Sequence, residues 1–265
     1  MTALLKVDGL GVRYSGATRG SITDISLELA AGEVLGVVGE SGSGKTTLGL
    51  ALLGLLPATT EVHGSAVFGG QEIVGAPERV LRPLRGTSLS TIVQNPATAL
   101  NPAYSVGSQL IALLRRHKGL SKRDAAAAAI EWLARVGIRD PELRMHSYPH
   151  QLSGGMNQRV VIAMALSLSP KMVVADEPTS ALDVTVQAAI LKLLKSLIED
   201  SGSSMVLITH DLGVVAQMCS KVIVMNDGAV VERGSVMSIF DAPSSPYTRH
   251  LIDSLPTRAV RGVSA

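Results

Sequence analysis

The chain has 265 residues, of which 46% are apolar and 17% charged, and its formal net charge is +2. This length fits one large domain or a domain with an inserted subdomain. A charge so close to zero gives no signal for binding nucleic acid or a membrane surface, and an aromatic content of 3% argues against stacking platforms for single-stranded nucleic acid.

The single cysteine, Cys219, cannot form an internal disulfide, a zinc cage or a cluster site, and we interpret it as a small hydrophobic side chain. The segment Met1–Val12 lacks a basic region before an apolar block, so no secretory signal is predicted. The mean hydropathy is +0.31, yet no apolar run reaches the ~18 residues that a membrane span needs. The excess apolar surface is therefore expected in a buried parallel sheet, a partner interface, or both.

Short apolar runs predict the strands of the first third of the chain. Leu4–Tyr14 and Ile22–Leu29 are strand-like, and Val34–Val38 is a strand followed by a glycine-rich turn. A helix is expected after that turn, up to Leu56, because Pro57 then stops it.

The middle of the chain is predicted to be mostly helical. Two more short strands, Gly64–Gly70 and Leu89–Val93, come before a helical region from Pro96 to about Leu168. Within it, Ser121 caps an alanine-rich helix, with Asp124 three residues later as in a capping box.

Strands and a helix alternate again in the last third. Met172–Ala175 and Met205–Thr209 are predicted strands on either side of an amphipathic helix, and an Asn-Asp-Gly turn at 226–228 predicts a hairpin. This alternation indicates an α/β protein with a mainly parallel sheet covered on both faces.

A phosphate-binding loop lies between the third strand and the first helix. The segment Gly39–Thr46 matches the pattern G-x-x-x-x-G-K-[ST], in which backbone N–H groups and a helix N-terminus surround phosphate oxygens. Lys45 is expected on the β- and γ-phosphates of a nucleotide, and the Thr46 hydroxyl on Mg²⁺. The predicted nucleotide-binding residues of this segment are Gly39, Glu40, Ser41, Gly42, Ser43, Gly44, Lys45, Thr46 and Thr47.

Two carboxylates end the buried strand that follows the helical region. A parallel strand that ends in an acid delivers it to the carboxyl edge of the sheet, beside the phosphate loop. Asp176 is predicted to hold Mg²⁺ and Glu177 to polarise the attacking water. The alternative, acids that cap a helix N-terminus, is less favoured beside a phosphate loop.

A second helix N-terminus suited to phosphate begins at Ser153, Gly154 and Gly155. One nucleotide does not easily contact two such ends in one compact domain, so two copies arranged head to tail are predicted, each presenting this segment to the other's γ-phosphate. An ordinary glycine-rich helix cap is the alternative.

The segment Leu152–Arg159, Leu-Ser-Gly-Gly-Met-Asn-Gln-Arg, resembles the signature of the ABC ATPases and stands in that family's order between the phosphate loop and the two acids. The resemblance covers about Leu4 to Phe240. It implies that Tyr14 stacks on adenine and that Gln94 reaches Mg²⁺ and the attacking water. It also implies that Asp183 lies in a loop at the dimer interface and that His210 contacts the γ-phosphate.

The same resemblance implies the fold and its division. The fold class is α/β: a phosphate-loop NTPase core with a mainly parallel sheet, an antiparallel β subdomain, and an inserted helical subdomain. The core is expected at residues 1–94 and 169–242, the helical signature subdomain at 95–168, and a loosely attached tail at 243–265.

Three segments resemble the ATPases of peptide and nickel importers: Val93–Pro102, Pro149–Leu166 and Ser245–Pro256. The resemblance implies ATP and Mg²⁺ as cofactors and a second, paralogous ATPase as partner, with a homodimer as the alternative. It further implies two membrane-spanning permease subunits, an external solute-binding protein, and a peripheral place on the cytoplasmic face of the membrane. Asn95 departs from the usual Asp, and the short tail without cysteines favours nickel or another small cargo.

Three other functions are less favoured than that of an importer. A soluble ABC ATPase acting on nucleic acid or the ribosome usually has two cassettes or long coiled coils, which this chain lacks. A nucleotide-binding scaffold without hydrolysis would not need Glu177 and His210, and a small-molecule kinase would not need the Leu152–Arg159 segment.

Overall fold

The computed structural model of the protein describes residues 3–254. The strands, in chain order, are β1 (Leu5–Arg13), β2 (Ile22–Leu29), β3 (Val34–Val38), β4 (Glu61–Phe68), β5 (Gln71–Glu72), β6 (Leu89–Ile92), β7 (Met172–Asp176), β8 (Ser204–Thr209), β9 (Lys221–Asn226) and β10 (Ala229–Ser235). The helices are α1 (Lys45–Leu52), α2 (Glu78–Leu84), α3 (Pro96–Ala99), α4 (Val106–Lys118), α5 (Lys122–Arg135), α6 (Pro141–Arg144), α7 (Gly154–Leu166), α8 (Val184–Ser201), α9 (Leu212–Met218), α10 (Val236–Asp241) and α11 (Pro246–Asp253).

The chain forms two compact units. The first unit comprises Met1–Pro83 and Gly202–Ala265, and the second comprises Leu84–Ser201. The expected division into a core, a helical subdomain and a tail, with boundaries after residues 94, 168 and 242, stays a prediction.

The first unit contains an antiparallel sheet in the order β2-β1-β4-β5. In β1 the side chains of Leu5 and Val7 are buried and those of Lys6 and Asp8 are exposed, as the alternating pattern predicts. The same unit contains a parallel group in which β3 pairs with β8 on one side and with β9 on the other. Because every residue of β8 is buried, that strand is an unbroken apolar run apart from its terminal hydroxyl residues.

The predicted hairpin between β9 and β10 is confirmed. The two strands pair antiparallel, and the turn residues Asp227 and Gly228 have φ values of 44° and 79°. Positive φ at both turn positions matches the right-handed twist of the flanking strands, which explains the Asp-Gly sequence.

Helix α1 ends earlier than predicted. It stops at Leu52 rather than continuing to Leu56, because Gly54 adopts a φ of 62° and Leu55 N–H turns back to the carbonyl of Leu50 at 2.8 Å. A glycine in the left-handed region closes a helix C-terminus before the proline can do so.

The C-terminal segment is not loosely attached within the described residues, so that expectation is wrong for residues 243–254. It forms α11, whose Thr248 is fully buried. Tyr247, Leu251 and Ile252 pack against the buried cluster that contains Val38. Burial of these apolar faces explains the attachment. Residues 255–265 lie outside the described part of the chain.

The second unit has β6 and β7 paired in parallel, and the rest of it is mostly helical, as predicted. Ser121 caps α5 by accepting the N–H of Asp124 at 3.2 Å, and its hydroxyl also donates to the Asp124 carboxylate at 2.7 Å. The predicted cap is therefore present, although the carboxylate bonds the hydroxyl instead of the backbone of Ser121.

These elements confirm the predicted fold class, an α/β protein with parallel strands, an antiparallel β sheet and a helical region. Between residues 3 and 254, no helix combines the length and apolar character that crossing a membrane requires.

Candidate nucleotide-binding site

The turn between β3 and α1 contains two glycines, Gly39 and Gly44, that no larger residue could replace without movement of their neighbours. A Cβ on Gly39 would lie 2.1 Å from the carbonyl oxygen of Met225, and one on Gly44 would lie 2.6 Å from the carbonyl oxygen of Ser21. Gly42, between them, has a φ of 86° and no neighbouring atom within 4 Å of a Cβ. The loop is thus packed tightly at its two ends and open at its centre, which is the shape of a cradle for an anion.

Lys45, the first residue of α1, is buried with its ammonium group folded into the loop. Its Nζ donates to the carbonyl oxygens of Gly39 and Glu40, each at 2.7 Å, and lies 3.4 Å from Ser43 Oγ. The helix N-cap is Gly44, which offers no side chain to its N–H groups. A buried cation beside an uncapped helix N-terminus favours a negatively charged ligand such as a phosphate.

The two threonines after Lys45 point in different directions. Thr46 is exposed, so its hydroxyl is accessible to a bound cation, whereas Thr47 is buried. The Thr47 hydroxyl lies 3.4 Å from that of Tyr14, which follows β1 and is half-buried. The structure therefore brings Tyr14 next to the first turn of α1, and its stacking on adenine stays a prediction.

His210 leaves the parallel group at the same edge as the phosphate loop. In the β3–β8 register Val38 lies opposite Thr209, so the following residues, Gly39 and His210, emerge from neighbouring strands at one edge. His210 is exposed, and the next residue, Asp211, caps α9 by accepting the N–H of Gly213 at 2.8 Å. The cap fixes the backbone just after the histidine.

In the second unit, Gln94 and Asp176 share an edge in the same way. Ile92 lies opposite Ala175 in the β6–β7 register, so Gln94, two residues after β6, and Asp176, the last residue of β7, lie at the same end of neighbouring parallel strands. Gln94 is exposed and Asp176 is half-buried. Asn95 accepts the N–H of Ala97 at 3.0 Å and so serves as the N-cap of α3, a role that Asp would also fill.

Glu177 has a backbone conformation that non-glycine residues rarely adopt. Its φ is 49°, and its carbonyl oxygen accepts both the N–H of Ser180 at 3.3 Å and the hydroxyl of Ser180 at 3.2 Å. This tight turn re-aims the chain directly after β7, so Glu177 does not continue the alternation of the strand. Left-handed backbone at a non-glycine residue is concentrated at functional sites.

The N-terminus of α7 packs on the start of α8. Ser153 caps α7 by accepting the N–H of Met156 at 3.3 Å, and both Ser153 and Gly154 are exposed. A Cβ on Gly155 would lie 2.7 Å from Cγ1 of Val186. Asp183 accepts the N–H of Val186 at 3.0 Å at the beginning of α8. The predicted signature residues and Asp183 therefore form one local surface of the second unit.

Sequence reasoning assigned no residue of the C-terminal segment to this site. In the structure the N–H of Glu40 donates to the hydroxyl of Tyr247, the second residue of α11, at 3.0 Å. The available signal was Ser245-Pro246, a typical helix start, which places Tyr247 in the first turn of a helix but does not show what that helix touches.

The residues present fit a nucleotide-bound Mg²⁺ better than a metal held by the protein alone. Among residues 3–254, no group of three or more His, Cys, Asp or Glu side chains could hold a metal ion. Mg²⁺ is commonly bound through one or two protein oxygens and the phosphates of its substrate, and the exposed Thr46 hydroxyl offers such an oxygen.

Comparison with known proteins agrees with this geometry. The family described as ABC transporter matches residues 22–180. The oligopeptide transport ATP-binding protein OppD of Haemophilus influenzae is 46% identical over 258 residues, which is 97% of this chain and 80% of the relative. The dipeptide transport ATP-binding protein DppD of Escherichia coli is 46% identical over 257 residues, 96% of this chain and 79% of the relative. A solved dimeric ATP-binding cassette in a post-hydrolysis state, bound to ADP and Pi, has a TM-score of 0.77 and 26% identity, covering 88% of this chain and 98% of that one.

Proposed function

The chain belongs to the ABC transporter family and hydrolyses ATP, and from that premise we propose that it powers an importer for peptides or another small solute. The observation that carries the proposal is the phosphate loop, in which the buried Lys45 Nζ donates to the carbonyl oxygens of Gly39 and Glu40 at 2.7 Å each. The similarity to oligopeptide and dipeptide transport subunits over nearly the whole chain supports the transport role.

Within the first unit we assign the nucleotide contacts as follows. Lys45 and the N–H groups at the start of α1 bind the β- and γ-phosphates, and the Tyr14 ring stacks on adenine. Mg²⁺, when bound, neutralises charge on the phosphate oxygens, and the Thr46 hydroxyl is one of its ligands. His210 is the residue of this unit that we assign to the γ-phosphate.

Within the second unit we assign the groups that act on water and metal. Glu177 orients and polarises the attacking water, and its turn-fixed backbone supports that task because the point from which the side chain extends is set before substrate arrives. Asp176 and Gln94 are the remaining Mg²⁺ ligands in the proposal. Catalysis in this assignment is positioning and charge neutralisation rather than covalent chemistry.

We further propose that the complete site needs a second ATPase. The exposed N-terminus of α7, with Ser153 and Gly155, is suited to the γ-phosphate held by a partner, and Asp183 lies on the same surface. A paralogous partner gives two non-identical composite sites, and a homodimer gives two identical ones. Both forms use the same residues of this chain.

The remaining components are proposed from the relatives. Two membrane-spanning permease subunits and an external solute-binding protein complete the importer, with this chain on the cytoplasmic face of the membrane. Cargo of the peptide class has the direct support of the relatives' names, and nickel remains a second candidate cargo. Action on nucleic acid is not favoured, because the relatives are transport proteins and the net charge is only +2.

The decisive variant is Glu177→Gln, which keeps the shape of the side chain and removes the charge that polarises water. Its ATPase rate should fall about 100-fold or more, with nucleotide binding retained. Glu199→Gln makes the same chemical change on the exposed face of α8 and should leave the rate unchanged. The rate should be measured for the chain alone and together with the permease and ATPase subunits encoded beside it.

A rise in the wild-type rate on adding those subunits supports a transport complex. Full activity of the chain alone contradicts dependence on a partner. Normal hydrolysis by Glu177→Gln contradicts the role of Glu177 and places water activation elsewhere.

A further inference from the structure

The C-terminal helix is joined to the phosphate loop by one well-formed hydrogen bond. The N–H of Glu40 donates to the hydroxyl of Tyr247 at 3.0 Å, across 207 positions of sequence. The Tyr247 ring is half-buried against the cluster that contains Val38, the last residue of β3 before the loop. Helix α11 therefore packs on a cluster to which the strand before the loop contributes, and it contacts the loop backbone itself.

The N-terminus of α11 is held by a carboxylate from β10. Glu232 accepts the N–H and the hydroxyl of Ser244, at 2.7 and 2.8 Å, and the N–H of Ser245 at 3.0 Å. Ser245, the N-cap residue, makes no side-chain cap of its own. Partial burial raises the pKa of Glu232, but Thr248 and the donors from Ser244 and Ser245 lower it to about 2, so the clamp stays charged.

The Tyr247 hydroxyl is neutral where it meets the loop. Burial is the largest influence and raises the pKa of Tyr247, the Glu40 N–H lowers it, and the carboxylates of Glu40 and Asp227 raise it further. The net direction is upward from an ordinary value of 10.0. The hydroxyl thus accepts a hydrogen bond from the loop without adding negative charge near the phosphates.

Glu40 lies in the loop between Gly39 and Ser43, and contacts with other parts of the chain hold both of these residues in place. Gly39, before it, fits closely against the Met225 carbonyl, and Ser43, after it, accepts the N–H of Gly228 at 3.2 Å. The Glu40 carbonyl is one of the two that receive the Lys45 ammonium. The other is the carbonyl of Gly39, which belongs to the same peptide group as the Glu40 N–H, so any shift of that peptide group moves an acceptor that positions Lys45.

We propose that Tyr247 is a positioning residue for the phosphate loop, through which docking of α11 raises the affinity of the loop for the phosphates of a nucleotide. The proposal rests on the proposed function, since it concerns the same nucleotide. Because coupling between two sites is reciprocal, nucleotide binding should in turn tighten the docking of α11 by the same factor.

The first test is the affinity of Tyr247→Phe for a fluorescent ATP analogue with Mg²⁺. The variant keeps the packed ring and loses only the hydroxyl, so its Kd should rise about twofold to tenfold, the range expected for one net hydrogen bond. Its Tm should change by no more than about 6 °C for a chain of this size. Tyr104→Phe, at a ring that is 59% exposed, is the matched control and should leave the Kd unchanged.

The second test needs no nucleotide. Amide hydrogen exchange at Glu40 in the free protein should be about twofold to tenfold faster in Tyr247→Phe than in the wild type. Adding the analogue to the wild type should slow exchange in α11, and the slowing should be smaller in Tyr247→Phe. A tyrosine that served stability alone would not link the analogue to α11.

Three outcomes overturn the proposal in different ways. Unchanged Glu40 exchange in Tyr247→Phe shows that the hydrogen bond does not hold the loop. Faster exchange with an unchanged Kd shows that the bond exists but does not position the loop for nucleotide. If the wild type binds no analogue, the proposed function fails and takes the affinity role with it, while the Glu40 exchange still reports on the bond.

Discussion

Alanine substitutions at the glycines of the phosphate loop separate steric packing from backbone strain. At Gly39, where φ is 156°, an added Cβ would lie 2.1 Å from the Met225 carbonyl oxygen and 2.7 Å from Ser43 Oγ. At Gly42, where φ is 86°, an added Cβ would have no neighbour within 4 Å. Both variants carry strain from a backbone that side chains rarely adopt, but Gly39→Ala alone also collides with a backbone atom.

The expected costs follow from that difference. For Gly42→Ala we expect a loss of about 1–2 kcal/mol in the free energy of unfolding, from the left-handed backbone alone. For Gly39→Ala an overpacking cost of about 1–3 kcal/mol adds to this, because a strand carbonyl cannot rotate away as a flexible side chain can. At about 2–4 °C per kcal/mol, the difference between the two variants is at least about 2 °C and reaches ~12 °C.

Thermal unfolding by circular dichroism measures these shifts, and nucleotide titration accompanies it. Gly44→Ala provides a second clashing position, since its Cβ would lie 2.6 Å from the Ser21 carbonyl oxygen. We expect Gly39→Ala and Gly44→Ala to group together, with lower Tm and weaker nucleotide binding than Gly42→Ala. If Gly42→Ala lowers the Tm as much as the other two, the steric reasoning is refuted.

Two further predictions concern local contacts in each unit. Because the pKa of Glu232 is lowered to about 2 from 4.5, its clamp on Ser244 and Ser245 contributes stability above pH ~4.5, and this is lost as the pH falls toward 2. After discounting for exposure the contribution is about 1 kcal/mol. The Tm values of wild type and Glu232→Gln, measured as a function of pH, should therefore converge as the pH falls from ~4.5 toward 2. A difference in Tm that stays constant over this pH range would contradict the clamp. Gly155→Ala should lower the Tm because its Cβ would lie 2.7 Å from Val186. Adding Val186→Ala should restore part of the lost Tm. If the two substitutions change the Tm independently, the contact is contradicted.

The sequence by itself determined the features that depend on residues close together along the chain. The pattern Gly39–Thr46 predicted the phosphate loop because a strand, a turn and a helix N-terminus follow one another within a few residues. The Asn-Asp-Gly turn predicted the β9–β10 hairpin for the same reason, since two positive φ values select those residues. The end of α1 was predicted wrongly, because Gly54 adopts a left-handed backbone and ends the helix three residues before Pro57.

Only the tertiary structure decided which distant residues complete the loop. The Met225 carbonyl that makes Gly39 indispensable and the Tyr247 hydroxyl that receives Glu40 N–H both come from far along the chain. Tyr247, Leu251 and Ile252 lie at helical spacing, but that periodicity does not show what the apolar face of α11 docks on. The docking depends on a cluster assembled from β3, β9, α9 and α10. Contacts of this kind arise when folding brings surfaces together, so local residue patterns carry no record of them.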